Sequence, residues 1–498
     1  MDKRIAKNNL LSFTFNTALS LLSFIIIVRT LSAEKMGVWV LISSFYTVGS
    51  MIDLGTNNAV VRYINQIDHN EKYDFFFTFL LVLFGVGCVT MTVTFYLSLT
   101  MVSSSEYILT YHLIDQGGVV ILIALSALAN YLKLFQNYVR LTLEALNHFI
   151  TTNRINNISV AIQLCTTFLW AFAIEDDFKL IFVPVIFIIP VLVSLVLLVS
   201  YLKTEVFSGI PFRTFFSFRI FRECIAFSST LQLSSFLSTM IDPVTKYFIS
   251  KYLGLSFTTY YETAKKISDV IFGMGISIQR QLTTQASQSI KNGTLIEFMH
   301  KGYLKYAVTI SSFNLIAMFV FILVSSPLMY FMFNSYDSVK FYILLAVVTI
   351  WQNNSSGFYG VLIITGSWLD LIIYQVISLV ALMLVLTIGF SIYQGASTLV
   401  LLGLISIFNF LFLYYLLNRK IILIPMEVIS QAIRFKNQIL ISIYLLGLYV
   451  FLNTEYLYKL QILISCTGFI AVSIFLRKDI IFSFKELYFL NPFNKSNV

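Results

Sequence analysis

Charge is scarce in this chain. Asp, Glu, Lys and Arg make up 11% of its 498 residues, against roughly 25% in an ordinary soluble domain. Proline numbers 7, glycine 21 and cysteine 4. So little charge excludes a soluble globular enzyme and a disordered polymer, and so little glycine and proline excludes a collagen-like fibre. Few helix breakers also leave long helices uninterrupted. The cysteines, Cys88, Cys165, Cys224 and Cys466, stand in or beside apolar segments without CxxC or CxxH spacing. They read as small core hydrophobes rather than a disulfide framework or zinc site. No Walker A sequence occurs, so ATP hydrolysis by this chain is not expected. No catalytic residue, metal-ligand set or cofactor motif is read.

What is abundant is apolar surface. Hydrophobic residues are 58% of the chain, and mean hydropathy is +0.84. The apolar runs are long and continuous, unlike the short alternating segments of an outer-membrane barrel. Lys3, Arg4 and Lys7 precede the run Leu10 to Val28. That run is longer than a signal-peptide core and lacks a cleavage site, so it reads as a first transmembrane helix. Spans follow near 9–32, 36–58, 75–101, 117–141, 155–175, 180–202, 223–250, 257–280, 303–326, 339–364, 369–390, 396–418, 437–453 and 458–476. The expected fold class is an all-α integral membrane protein of about 14 transmembrane helices, each of about 20 residues.

The net charge of +9 is not a nucleic-acid signature. Lys and Arg stand in small groups between the apolar runs, as topology signals do. Of 33 such residues, Arg29, Lys35, Lys179, Lys246, Lys251, Lys340 and Lys459 fall toward one side. Lys265 and Lys266 fall inside a span, and the other 24 lie on the N-terminal side. This bias places both termini in the cytoplasm, with the chain crossing its membrane many times. The longest connections, near 203–222, 281–302 and 419–436, read as short interfacial helices. No outer loop is large enough for a membrane glycosyltransferase or polymerase site.

An internal repeat is present. Arg29-Thr30-Leu31-Ser32 leading to Gly37-Val38-Trp39 is matched by Lys251-Tyr252-Leu253-Gly254 leading to Thr259-Tyr260-Tyr261, an offset of 222 residues. The first six spans and the next six start on the same side, which makes the repeat parallel. The chain therefore divides into an N-terminal six-helix bundle, 1–202, an interfacial linker, 203–222, a C-terminal six-helix bundle, 223–418, and a segment, 419–498, with a linker, two extra helices and a cytoplasmic tail.

Arg29 through Gly37, the span ending Asp53-Leu54-Gly55, and Ala59-Val60-Val61-Arg62-Tyr63-Ile64 together resemble the start of bacterial polysaccharide-unit flippases. These belong to the multidrug/oligosaccharidyl-lipid/polysaccharide exporter superfamily. Ile241-Asp242 to Lys246, Leu253-Gly254 to Tyr260-Tyr261, and Ala264-Lys265-Lys266-Ile267 are similar to that family's seventh and eighth helices. The resemblance implies a non-enzymatic transporter. Its substrate would be an oligosaccharide repeat unit on a polyprenyl pyrophosphate, destined for O-antigen of lipopolysaccharide, capsule or a related surface polymer. Membrane lipid, a polysaccharide polymerase and chain-length proteins are the implied partners. An ion-coupled multidrug antiporter of the same fold, or a lipid II flippase, which also has fourteen helices, is the alternative.

An anionic headgroup needs a polar, preferably cationic cavity, because charge at membrane depth is costly unless it faces one. Charge gathers in the seventh and eighth spans. Asp242 with Lys246, Glu262 with Lys266, and Lys265 with Asp269 are three i, i+4 pairs whose charges cancel. Two readings stand: the pairs only fix packing, or one of Lys246, Lys265 and Lys266 exchanges its carboxylate for pyrophosphate. Pro243 is a candidate hinge or a static bend. In the first bundle the substrate-binding candidates are Arg29 and Arg140. Arg29 ends the first span and also fits a snorkelling role. Arg140 stands i, i+4 from Glu144. Asp53 is a candidate ion-coupling or helix-capping group, and Arg62, Lys133 and Arg154 are further basic positions. Tyr260 and Tyr261 fit an interfacial belt or sugar stacking, and Gln232, Asn353 and Asn354 are polar groups at membrane depth.

Two expectations follow. Glu106→Cys and Asp176→Cys should label with an impermeant thiol reagent added to intact cells; labelling only after permeabilisation would reject the topology. The last two spans carry only Glu455 and Lys459 as charges over 437–476, which suits a groove for an apolar lipid tail. A chain ending near Gln431 should insert normally but transport poorly. Full transport by a stably expressed truncation would reject that groove.

Overall fold

A computed structural model describes residues 3–50, 60, 64, 71–104, 114–146, 148–206, 216–269, 329–333, 344–345, 347–348, 351–352, 355, 368–393 and 399–421. All extended elements among the described residues are helical. They are α1 (Lys3–Thr30), α2 (Ala33–Ser50), α3 (Lys72–Ser104), α4 (Gln116–Ala145), α5 (Phe149–Ala173), α6 (Asp176–Tyr201), α7 (Phe218–Tyr252), α8 (255–269), α9 (Trp368–Tyr393) and α10 (Val400–Ile421). Six described helices are long and apolar enough to cross a membrane. The all-α membrane architecture expected from sequence is thus the one observed. The expected spans at 303–326, 437–453 and 458–476, and most of 339–364, lie outside the described residues.

The chain divides into two compact units, Met1–Thr259 and Tyr260–Val498. In the first unit α1 packs on α5, α4 and α5 on α6, and α2 on α3, α4 and α7. One end of this unit is held by an aromatic core. Tyr73, Phe75, Phe76, Phe79 and Leu83 of α3 meet Leu134, Tyr138, Val139 and Leu143 of α4, with Leu198 and Ile220. The Tyr138 hydroxyl donates to the Phe76 carbonyl at 2.8 Å. At the same end the start of α7 is tied to α3. The Ser217 amide donates to Thr78 Oγ1 at 3.0 Å, and Arg219 pairs with Glu71 at 2.7 Å.

Backbone groups in hydrocarbon must find partners within the protein. Helix α6 shows how: Pro184 and Pro190 both lie inside it. Pro190 has no N–H to give to the carbonyl of Ile186, one turn back. Thr166 of α5 donates to that carbonyl at 3.3 Å, and Ser159 donates to the Pro190 carbonyl at 3.1 Å. The packing of α5 on α6 thus replaces a bond that proline removes. At the opposite end of the hairpin Trp170 Nε1 donates to the Lys179 carbonyl at 2.9 Å. Lys179 pairs with Asp176 at 2.7 Å, and Lys35 reaches the Asp176 carbonyl at 3.3 Å. In the second unit Ser378 of α9 donates to Asn409 Oδ1 of α10 at 3.0 Å, and Trp351, buried, packs on Phe410.

One expectation is corrected. Cys88 and Cys165 are exposed rather than in the core. Cys88 Sγ lies 3.6 Å from the Tyr131 hydroxyl. An apolar run surrounds both cysteines in sequence, but in a membrane helix the lipid-facing side is as apolar as the packed side. The side chains of Cys224 and Cys466 lie outside the described residues.

The two turns matched in the sequence touch one another. Gly254 has φ +102, a left-handed geometry that glycine adopts without strain, and it turns the chain from α7 into α8. The first turn of α8 then meets the first turn of α2. A Cβ on Gly37 would fall 2.2 Å from the Leu255 carbonyl oxygen, and Thr259 Oγ1 donates to the Ala33 carbonyl at 2.6 Å. Shifted by 222 residues, Ala33 becomes Leu255 and Gly37 becomes Thr259. The contact is therefore reciprocal in sequence register.

Gly37→Leu should break this contact. The expected cost is about 1–3 kcal/mol from overpacking, seen as a lower unfolding midpoint in detergent together with reduced transport. Thr259→Val should lose only about 1 kcal/mol, the worth of one hydrogen bond. An unchanged midpoint and unchanged transport in Gly37→Leu would show that the turns do not meet.

Candidate functional site

Helix α7 carries the most deeply placed charge pair. Asp242 and Lys246 stand one turn apart, so the helix itself brings them to one face. Their Oδ2 and Nζ atoms are 2.7 Å apart, with the lysine side chain 5% exposed and the aspartate 24%. Such a pair resists the loss of one member, because the remaining charge would be buried uncompensated at a cost of about 3–5 kcal/mol. Pro243 sits between them, and α7 continues unbroken from Phe218 to Tyr252. Thr245 Oγ1 donates to the Ile241 carbonyl at 2.8 Å. Gln232, two and a half turns earlier, is buried, and its Nε2 has no hydrogen-bond partner among the described residues.

Helix α8 carries the second set, with Glu262 onward in the second unit. Lys266 Nζ lies 3.8 Å from Glu262 Oε1, and the lysine is half exposed while the glutamate is mostly buried. Lys265 is half-buried and Asp269 exposed, one turn apart. Tyr261 is buried, and Tyr260 packs edge-on against Phe333 at 4.9 Å between ring centres. Both tyrosines are thus engaged within the protein.

In the first unit Arg140 Nε lies 3.5 Å from Glu144 Oε1, both partly exposed. The i, i+4 pair expected from sequence is therefore present, near the end of α4. Arg29 is exposed in the last turn of α1. Lys133 and Arg154 are exposed on α4 and α5. Asp53, Arg62, Asn353 and Asn354 lie outside the described residues. Among the described residues no group of three or more His, Cys, Asp or Glu could hold a metal ion.

Sequence reasoning found the pairs one turn apart and missed those made by distant segments. Arg219 with Glu71 and Lys35 with Asp176 join residues more than a hundred positions apart. Gln136 donates to Ser194, and Ser12 donates to Asn157 at 2.6 Å. None has a local signature, since each depends on which helices become neighbours.

The fold resembles that of known membrane transporters. An inward-facing multidrug resistance transporter of the MATE family, in the MOP superfamily, superposes with a TM-score of 0.64. It is 13% identical and covers 81% of this chain and 95% of its own. The lipid II flippase MurJ in an inward closed conformation gives a TM-score of 0.61 at 16% identity, covering 94% of this chain and 98% of its own. A MOP superfamily transporter from Pyrococcus furiosus, described as having a binding pocket of reverse polarity, gives 0.59 at 13% identity over 82% and 94% of the two chains. At these identities the likeness establishes the fold alone. No curated protein matches the sequence. A profile of polysaccharide biosynthesis proteins matches residues 26–340, more than half of the chain and the whole of α2 to α8. The chain therefore belongs to the polysaccharide biosynthesis protein family, on the fold shared by MOP superfamily transporters.

Proposed function

We propose that this protein is a flippase. It moves an oligosaccharide repeat unit, linked to a polyprenyl pyrophosphate, from the cytoplasmic to the outer leaflet of the bacterial inner membrane for surface polysaccharide synthesis. The observation that carries this reading is the buried Lys246–Asp242 pair on α7 in a member of the polysaccharide biosynthesis family. The carboxylate one turn away compensates the lysine's charge, which is otherwise costly at membrane depth. Pyrophosphate presents the same oxyanion chemistry as the carboxylate and can replace it. Lys266 and Lys265 offer further cations on α8, where the longer 3.8 Å contact leaves Lys266 more readily exchanged. Membrane lipid carries the apolar tail, and the polymerase and chain-length proteins act on the unit after it has crossed. A lipid II flippase is the second reading, favoured by the overlap with that fold over 94% of this chain.

The test is export by charge variants in the native host. Lys246→Gln should abolish surface polysaccharide and cause lipid-linked units to accumulate, whereas Lys246→Arg should retain more export. Because a lone Asp242 would be destabilising, the double variant Asp242→Asn with Lys246→Gln should restore protein level without restoring export. Normal export by the double variant would reject the cationic site. Arrest of peptidoglycan synthesis on depletion, with polysaccharide intact, would favour the second reading.

A further inference from the structure

By sequence the repeat restarts at the seventh helix, which would make the linker at 203–222 the joint between two bundles. The packing of α7 points elsewhere. Among the described helices α7 packs on α2 and α3. The boundary between the two compact units falls after it, at Thr259. Both of its ends are fastened within the first unit.

The start of α7 is held by several means at once. Ser217 caps the helix, its Oγ accepting from the Ile220 amide at 3.4 Å. Phe216, just before the cap, packs on Phe221 at 5.9 Å between ring centres. Such a staple fixes the angle at which the chain enters the helix. Ile220, 5% exposed, is thereby set into the aromatic core of α3 and α4, and Phe221 packs against the same core. The Ser217 amide bond to Thr78 and the Arg219–Glu71 pair then fix the register of α7 on α3. The ion pair is exposed and contributes little by itself. The buried isoleucine is what makes the start costly to detach. From there α7 runs 35 residues, about 50 Å. At its far end the Gly254 turn leads to Leu255, whose carbonyl lies over Gly37, and to Thr259, which bonds Ala33. A rod pinned at both ends cannot swing from α2 and α3 without breaking one attachment.

We propose that α7 is carried by the first unit during transport. The chain then passes from one moving body to the other after α7 rather than in the 203–222 linker. The proposal rests on the flippase reading above. Under it Asp242 and Lys246 travel with the first unit, although the sequence repeat counts them with the second bundle. Motion between the bodies leaves the contacts of α7 with α2 and α3 intact.

The experiment replaces the four native cysteines by alanine and joins α3 to α7 through Glu71→Cys with Arg219→Cys. Living cells are treated with dibromobimane, a permeant short cross-linker that fluoresces when both thiols react. New surface polysaccharide should then appear at the rate seen in treated single-cysteine controls. A several-fold slower rate in the cross-linked cells, or failure of the pair to cross-link, would overturn the assignment. A second measurement does not depend on export. Leu81 of α3, Leu233 of α7 and Leu384 of α9 are exposed and accept spin labels through cysteine. In purified protein Leu81→Cys with Leu233→Cys should give a narrower distance distribution than Leu81→Cys with Leu384→Cys. An α3–α7 distribution as broad as the α3–α9 one would overturn the assignment. Arrest by the cross-link would leave the flippase reading standing, since polysaccharide export would have been shown to need the protein's motion. That reading fails separately, if a strain lacking the protein keeps its surface polysaccharide.

Discussion

Every polar group in this protein answers to one constraint: hydrocarbon supplies no hydrogen bonds. Apolar side chains gain little by leaving lipid for the protein interior, so burial alone does not drive helix against helix. Packing and polar contacts set the arrangement instead. Thr166 on the Ile186 carbonyl, Ser159 on the Pro190 carbonyl and Ser378 on Asn409 are such contacts. Each is modest, yet without the first the proline in α6 would leave a carbonyl in need of a partner. The same constraint holds for charge. Lys246 stays at depth because Asp242 stands one turn away.

The contact between the first turns of α2 and α8 sets two helix starts against each other, and its two halves use different means. One half is a carbonyl lying over Gly37, and the other a hydroxyl bond from Thr259. A glycine allows close approach and a threonine supplies a donor; each solves the problem of bringing a helix start against a neighbouring backbone.

Much of the fold was legible because the membrane sets helix length and apolar composition together. The starts of α4 at Gln116 and of α9 at Trp368 fall within one residue of the positions read from the apolar runs. The pairs at Asp242–Lys246, Glu262–Lys266 and Arg140–Glu144 were legible because an α-helix makes i, i+4 neighbours whatever surrounds it. Which face of a helix meets lipid was not. Cys88 and Cys165 stand among apolar residues on both sides, so the sequence offered no contrast between core and lipid. The exposures around α4 supply that contrast, since Val120, Ile121 and Leu128 are open where Val119 and Leu122 are closed. The ties between Arg219 and Glu71, and between Lys35 and Asp176, required the tertiary arrangement itself.

A transporter's site must hold its substrate without retaining it, and a preformed ion pair is one way to meet both demands. A lone buried lysine would carry an uncompensated charge, which Asp242 removes. In the exchange proposed above, substrate would be gained only by the difference between pyrophosphate and carboxylate, so the net affinity would stay well below the full strength of either contact. On release the carboxylate would return to the lysine. The looser pair at Lys266 and Glu262 and the partly exposed pair at Arg140 and Glu144 repeat the arrangement with weaker competition.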